Sequence, residues 1–160
     1  MTSKELIDSL NLLPHPEGGY YKETYRSDET TVNKNGNLRN ICTAIHFLLE
    51  DKDKSHFHRI QSDELWFFHL GQPLEIYYIL GKEIKTVTLG NNIQNGNALF
   101  CKIPANTWFA SKLKQPEGYS LVSCTVAPGF DFADFELAKR DELTQEFPHL
   151  KIIIDEFTRE

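Results

Sequence analysis

From Tyr20 to Ala127 the chain is cut into short strand-length segments, and this constrains its fold more than any other feature. The segments are Tyr20–Arg26, Ile41–Leu49, Ser55–Ile60, Glu64–Leu70, Leu74–Leu80, Ile84–Leu89, Ala98–Ile103 and Ser120–Ala127. Turn signals stand between them: Asn35-Gly36-Asn37, Gly71-Gln72-Pro73, Gly81-Lys82, Gly90-Asn91-Asn92, Asn95-Gly96-Asn97 and Pro116-Glu117-Gly118. Many short strands punctuated at roughly 8–12-residue spacing predict an all-β sandwich or barrel. Ile41–Leu49 is apolar on both faces, which predicts cover from a second sheet or from a dimer partner.

The ends read as helical. Thr2, with Glu5 three residues later, fits a capping box, and Leu6, Ile7 and Leu10 mark one face. Pro14-His15-Pro16-Glu17-Gly18-Gly19 stops that helix, because proline lacks a donor and restricts its predecessor. At the other end, Asp141, Glu142, Leu143 and Phe147 form an amphipathic piece closed by Pro148. Leu150, Ile153, Ile154 and Phe157 continue at helical spacing, although the β-branched run Ile152–Ile154 leaves a strand open. The acidic and aromatic stretch Asp131–Glu136 has no calcium-loop spacing and reads as a packed entry to these helices.

No linker or repeat divides the chain, so residues 1–160 read as one domain. Lys plus Arg number 17 against 23 Asp plus Glu, a net charge of −6. That balance offers no field for a phosphate backbone and excludes nucleic acid as the expected partner. No apolar run approaches the roughly 20 residues of a membrane span. Met1–Leu13 is interrupted by Lys4, Glu5 and Asp8 and does not read as a signal peptide. Cys42, Cys101 and Cys124 lie far apart in apolar segments, which predicts buried reduced thiols and a cytoplasmic location.

The sharpest chemical feature is His56-Phe57-His58. Alternate residues of a strand share a face, so the two imidazoles point the same way. Glu64, Trp66 and Phe68 share a face of the next strand. A carboxylate, an indole and a phenyl ring facing two imidazoles would line a small-molecule pocket. His56, His58 and Glu64 could together hold a divalent metal. Alternatively, His58 oriented by Glu64 could move a proton next to a carbonyl, with Tyr25 or Tyr78 as the opposing acid. Tyr21, Glu23 and Tyr25 alternate on one face of their strand, with Arg26 on the other. Arg26 could anchor an anion.

His56-x-His58, then Glu64, then six residues and Gly71 resembles the first cupin motif. Pro104-Ala105-Asn106-Thr107-Trp108-Phe109 resembles the second, with Asn106 in place of glycine and Phe109 where a metal-binding histidine would stand. Pro14–Tyr21 with Glu23–Ser27, Ser55–Arg59, Ser62–Trp66, Gly71–Glu75 and Ser120–Phe132 are similar to blocks of the cupin subfamily once catalogued as DUF985. The resemblance implies a double-stranded β-helix, the cupin jelly roll, with short N- and C-terminal helices and a homodimeric assembly.

Three function classes follow. The first is a small-molecule pocket built from Tyr25, Arg26, His56, His58, Glu64, Trp66 and Phe68. As an enzyme, it would isomerise or epimerise a carbohydrate-like or nucleotide-linked substrate, with His58 and Glu64 catalytic and no metal. The second is a zinc or iron enzyme on His56, His58 and Glu64. The third is a non-catalytic ligand-binding or sensor protein. Phe109 tilts the choice away from the second.

Overall fold

The computed structural model describes residues 1–160. Helix α1 (Ser3–Leu10) leads into β1 (Leu13–Pro14), β2 (Tyr20–Arg26) and a small hairpin, β3 (Thr30–Val32) with β4 (Leu38–Asn40). Next come β5 (Thr43–Glu50), β6 (Lys54–Arg59), β7 (Asp63–Gly71), β8 (Leu74–Leu80) and β9 (Glu83–Leu89). The last strands are β10 (Phe100–Ile103), β11 (Phe109–Leu113), β12 (Tyr119–Ala127) and β13 (Glu136–Leu137), before α2 (Arg140–Glu146) and α3 (Lys151–Glu156).

Two antiparallel sheets face each other. One runs β1-β2-β5-β12-β7-β10 and the other β13-β6-β11-β8-β9. This is the double-stranded β-helix expected above, and its sheets do not close into a barrel. Phe47, Trp66, Val122 and Cys124 from the first sheet pack on Ile76, Leu89, Phe109 and Leu113 from the second. Helices α2 and α3 cover the outer face of the second sheet, where Phe147, Ile154 and Phe157 meet Phe57 and Ala110. Helix α1 covers part of the first sheet, setting Leu6 on Leu48 and Leu121. The second apolar face of β5 is thus covered, at Leu48, by the chain's own first helix.

The capping box at Thr2 and Glu5 is formed, and the Ile152–Ile154 run is helical. Asn106 takes φ +57°, the left-handed backbone that glycine would adopt in the motif. Strand β11 has no counterpart among the sequence-derived strands. Its Phe-Ala-Ser-Lys-Leu contains no β-branched residue, and Ala110 and Ser111 are fully buried because the sheet is tightly covered there.

Candidate functional site

A cavity of about 480 Å³ opens between the sheets at one end of the sandwich. Strands β5 and β12 supply Thr43, Ile45, Cys124 and Val126, while β6 and β7 supply His58 and Glu64. Tyr21, Glu23 and Arg26 of β2 form one wall, and Phe130, Asp131, Phe132 and Phe135 form another.

The turn before β2 delivers Glu17. Gly18 has φ +111°, and a Cβ there would lie 1.9 Å from the Lys54 carbonyl oxygen. Only glycine lets the turn run this close to β6. The Glu17 carbonyl accepts hydrogen bonds from the His56 backbone N–H and from His56 Nδ1, both at 2.7 Å. The Glu17 amide donates to His15 Nδ1 at 3.0 Å. Held at both ends, Glu17 turns its carboxylate inward, and only 5% of the residue is exposed.

Inside, Glu17 Oε2 lies 2.5 Å from His58 Nε2. His58 Nδ1 lies 2.7 Å from the His56 carbonyl oxygen. A carbonyl only accepts, so Nδ1 carries the hydrogen and Nε2 is left to exchange a proton with the carboxylate. Phe109 and Phe135 hold the ring from both sides, with centroids 4.1 and 5.5 Å away. Burial works against the charged form of each partner, but the pairing outweighs it. His58 is held above the ordinary histidine range, while Glu17 stays below the ordinary carboxylate range.

Glu64 takes the opposite course. Burial, then the charge of Glu17, push its carboxyl up to about 8, against the pull of His58. It is therefore an acid at neutral pH. The neighbouring thiols are inert: burial and then Glu64 push Cys101 up to about 12, and Cys124 rises well above the usual thiol range for the same first reason. His15 is kept neutral mainly by burial, its ring 4.6 Å from that of Tyr21.

The cavity brings together His58, Glu64 and Arg26 of the expected residues, but not the others. His56 is spent on the Glu17 carbonyl outside the cavity. Trp66 and Phe68 share the Glu64 face, but they lie deeper, in the packed core below the cavity floor. Tyr78 also packs on that core, beside Phe109. A β-bulge between Glu23 and Tyr25 corrects the reading of β2. One extra residue reverses the alternation, so Arg26 joins Tyr21 and Glu23 on the cavity wall while Tyr25 is exposed. Arg26 is not a free anion anchor. Its Nε and Nη2 hold the Glu23 carboxylate at 3.2 and 2.6 Å, and Nη1 holds Asn40 Oδ1 at 2.7 Å.

The metal set does not fit. The register shift in β6 between Ser55 and His58 breaks the shared face expected of the two histidines, so His56 is held on the Glu17 carbonyl outside the cavity; Phe109 is apolar, and His58 directs Nε2 at Glu17. No three His, Cys, Asp or Glu side chains converge as ligands would.

Other contributions to the site carry no periodic signal in the sequence. Glu17 and His15 sit in a turn with no periodicity, and the paired glycines were the available signal. Asp131 and the three phenylalanines of the 130–135 segment line the cavity as well as packing. Arg39 pins that segment through a bidentate pair with Asp134, both bonds at 2.8 Å.

A sandwich of this topology, with a buried His–Glu pair lining the cavity at one end, is a double-stranded β-helix of the cupin class. Residues 4–138 match the family described as cupin superfamily (DUF985), and the chain belongs to that family. It is similar to a hypothetical protein from Leishmania major, 36% identical over the whole of both chains with a TM-score of 0.95. It is also similar to protein SO0799 from Shewanella oneidensis, at 37% identity and TM-score 0.91, covering 99% of this chain and 98% of that one. An uncharacterized Saccharomyces cerevisiae protein, YML079W, is 31% identical across 92% of this chain and 79% of the yeast chain. Solved cupins at 12–13% identity share the fold alone.

Proposed function

We propose that this cupin is a metal-independent acid–base enzyme, isomerising or epimerising a carbohydrate-like molecule at a carbon next to a carbonyl. The observation that carries the reading is the 2.5 Å contact between His58 and Glu17 in the same cavity as Glu64, a carboxyl group kept protonated. Glu17 and Glu64 are two carboxyl groups in one cavity whose environments push their proton affinities apart, which is what a proton shuttle needs.

Glu17, ionised and lining the cavity, takes the proton from the carbon as the C–H bond breaks. The electron pair moves onto the carbonyl oxygen, and Glu64 donates its proton there. The His58 imidazolium, paired with Glu17, keeps that carboxylate ionised and ready to accept. The proton returns to carbon from the other face or at the neighbouring position, and Glu64 recovers its own. The exchange consumes no oxidant or metal.

The homodimer implied by the family resemblance belongs to this reading. Leu70, Leu99 and Phe100 are exposed at the β10 edge and would suit a second copy. Native mass spectrometry counts the subunits directly.

Deuterium exchange tests the chemistry. Carbonyl-bearing sugars and nucleotide-linked sugars are incubated with the protein in D₂O and weighed. Deuterium should enter next to the carbonyl, and His58→Asn should slow entry by about 100-fold. Saturable binding without exchange in any of these sugars would overturn the reading and leave a binding protein.

A further inference from the structure

The cavity wall carries its charges in an uneven arrangement. Its carboxyl groups are Glu17, Glu23, Glu64 and Asp131, and its cationic groups are His58 and Arg26. Glu17 is matched by His58, and Glu23 by Arg26 at 2.6 Å. Asp131 has no ion-pair partner. One of its oxygens caps the Ala133 amide at 2.8 Å, and the other is free. Arg39 lies near enough to feel Asp131, but Asp134 occupies its guanidinium fork. The resident charge at the mouth is therefore negative, and the one arginine that could meet a phosphate is already engaged.

The same mouth is aromatic. Phe130 and Phe132 stand 4.9 Å apart, Phe132 and Phe135 6.1 Å, and the neutral ring of His15 lies 6.3 Å from Phe132. Phe132 is half exposed at the rim. The segment is fixed before any ligand arrives, by the Arg39–Asp134 pair and by the Phe130 amide donating to Thr43 Oγ1 at 2.9 Å. Aromatic faces beside an unmatched carboxylate attract an organic cation and repel a phosphate.

We propose that the cavity selects a carbohydrate-like molecule bearing an ammonium group over the same molecule bearing a phosphate. The ammonium would sit at the mouth between Asp131 and the Phe130–Phe135 rings, leaving the sugar body to the acid–base groups below. The carbohydrate body rests on the function proposed above, whereas the charge preference rests on the wall alone.

Calorimetric binding of glucosamine, glucose and glucose 6-phosphate to the full chain tests this. Glucosamine should bind about threefold or more tightly than glucose, and glucose 6-phosphate more weakly than either. Asp131→Asn, which keeps the cap, should erase the advantage of glucosamine. Glu23→Gln, which releases Arg26, should shift the preference toward the phosphate. Equal affinities, a preference for the phosphate in the unmodified protein, or no binding by any of the three would overturn the proposal. The two readings fail separately. Deuterium entry into sugars without any preference for the amine sinks this proposal and keeps the acid–base chemistry. Preferential amine binding with no deuterium entry does the reverse.

Discussion

His58 Nε2 and Glu17 Oε2 lie 2.5 Å apart, though one residue belongs to a strand and the other to a glycine turn 41 positions earlier in the chain. The pair is buried, so each partner's charged form depends on the other. Removing one charge should release the second. In Glu17→Gln, burial acts on His58 without its main opponent, and the imidazole should titrate below the ordinary histidine value of 6.5. The amide still offers a hydrogen bond, so the loss of stability should be about 1–2 kcal/mol. Histidine titration by NMR checks this. An unchanged His58 titration would show that the pair does not set its protonation.

Glu64 makes stability fall as pH rises. Its carboxyl is raised from 4.5 to about 8, so between these values the folded state keeps a proton that the unfolded state has lost. The stabilisation is complete below about pH 4.5, declines toward pH 8, and is then exhausted. The raised His58 adds a loss in the same direction, beginning above 6.5. Lowered Glu17 works at the acid end, where its contribution fades as pH drops below 4.5. Glu64→Gln should therefore gain on the unmodified protein from pH 5 to pH 8, by at most about 1.4 kcal/mol per pH unit. Urea midpoints across that range measure the gap. A constant gap would mean that Glu64 is already ionised at pH 5.

The sandwich was legible because turn residues and apolar alternation act locally. Strand β2 begins at Tyr20 and ends at Arg26, as read from the sequence. The site was only half legible. His58 and Glu64 line the cavity as their strand faces imply, but His56 does not, because β6 carries an extra residue against β11 between Ser55 and His58. Tyr25 and Arg26 were exchanged by a bulge, and a bulge leaves no mark in a seven-residue stretch of polar and aromatic residues. Trp66 and Phe68 were placed on the right face but at the wrong depth, because periodicity gives a face and not where a cavity ends. Glu17 is set by the close approach of two chain segments, a tertiary fact that local pattern does not carry.

Phe109 stands directly across from His58 in the β6–β11 pairing, 1% exposed. An imidazole in its place would face His58 near the carboxyl of Glu64. Phe109→His should raise affinity for zinc or cobalt by about tenfold or more, at a cost in stability of about 3 kcal/mol. Cobalt absorption reads the site directly, and thermal unfolding with and without zinc separates binding from damage. If affinity does not rise in a folded variant, the phenyl ring is not what keeps the metal out.

Gly18 and Gly36 offer a matched comparison of two left-handed glycines, with φ +111° and +82°. A Cβ at Gly36 meets open space, so Gly36→Ala carries only the backbone cost of about 1 kcal/mol. A Cβ at Gly18 would overlap the Lys54 carbonyl oxygen, which belongs to a paired strand and cannot retreat cheaply. Gly18→Ala should therefore cost about 3 kcal/mol or more. It should also move Glu17, because the turn must lift away from β6 and surrender the bonds from His56. His58 would then lose its partner, and its titration should drop as in Glu17→Gln, while Gly36→Ala leaves it in place. Denaturation curves and the His58 titration of both variants decide the matter. Equal costs, or an undisturbed His58 in Gly18→Ala, would show that the turn does not position the pair.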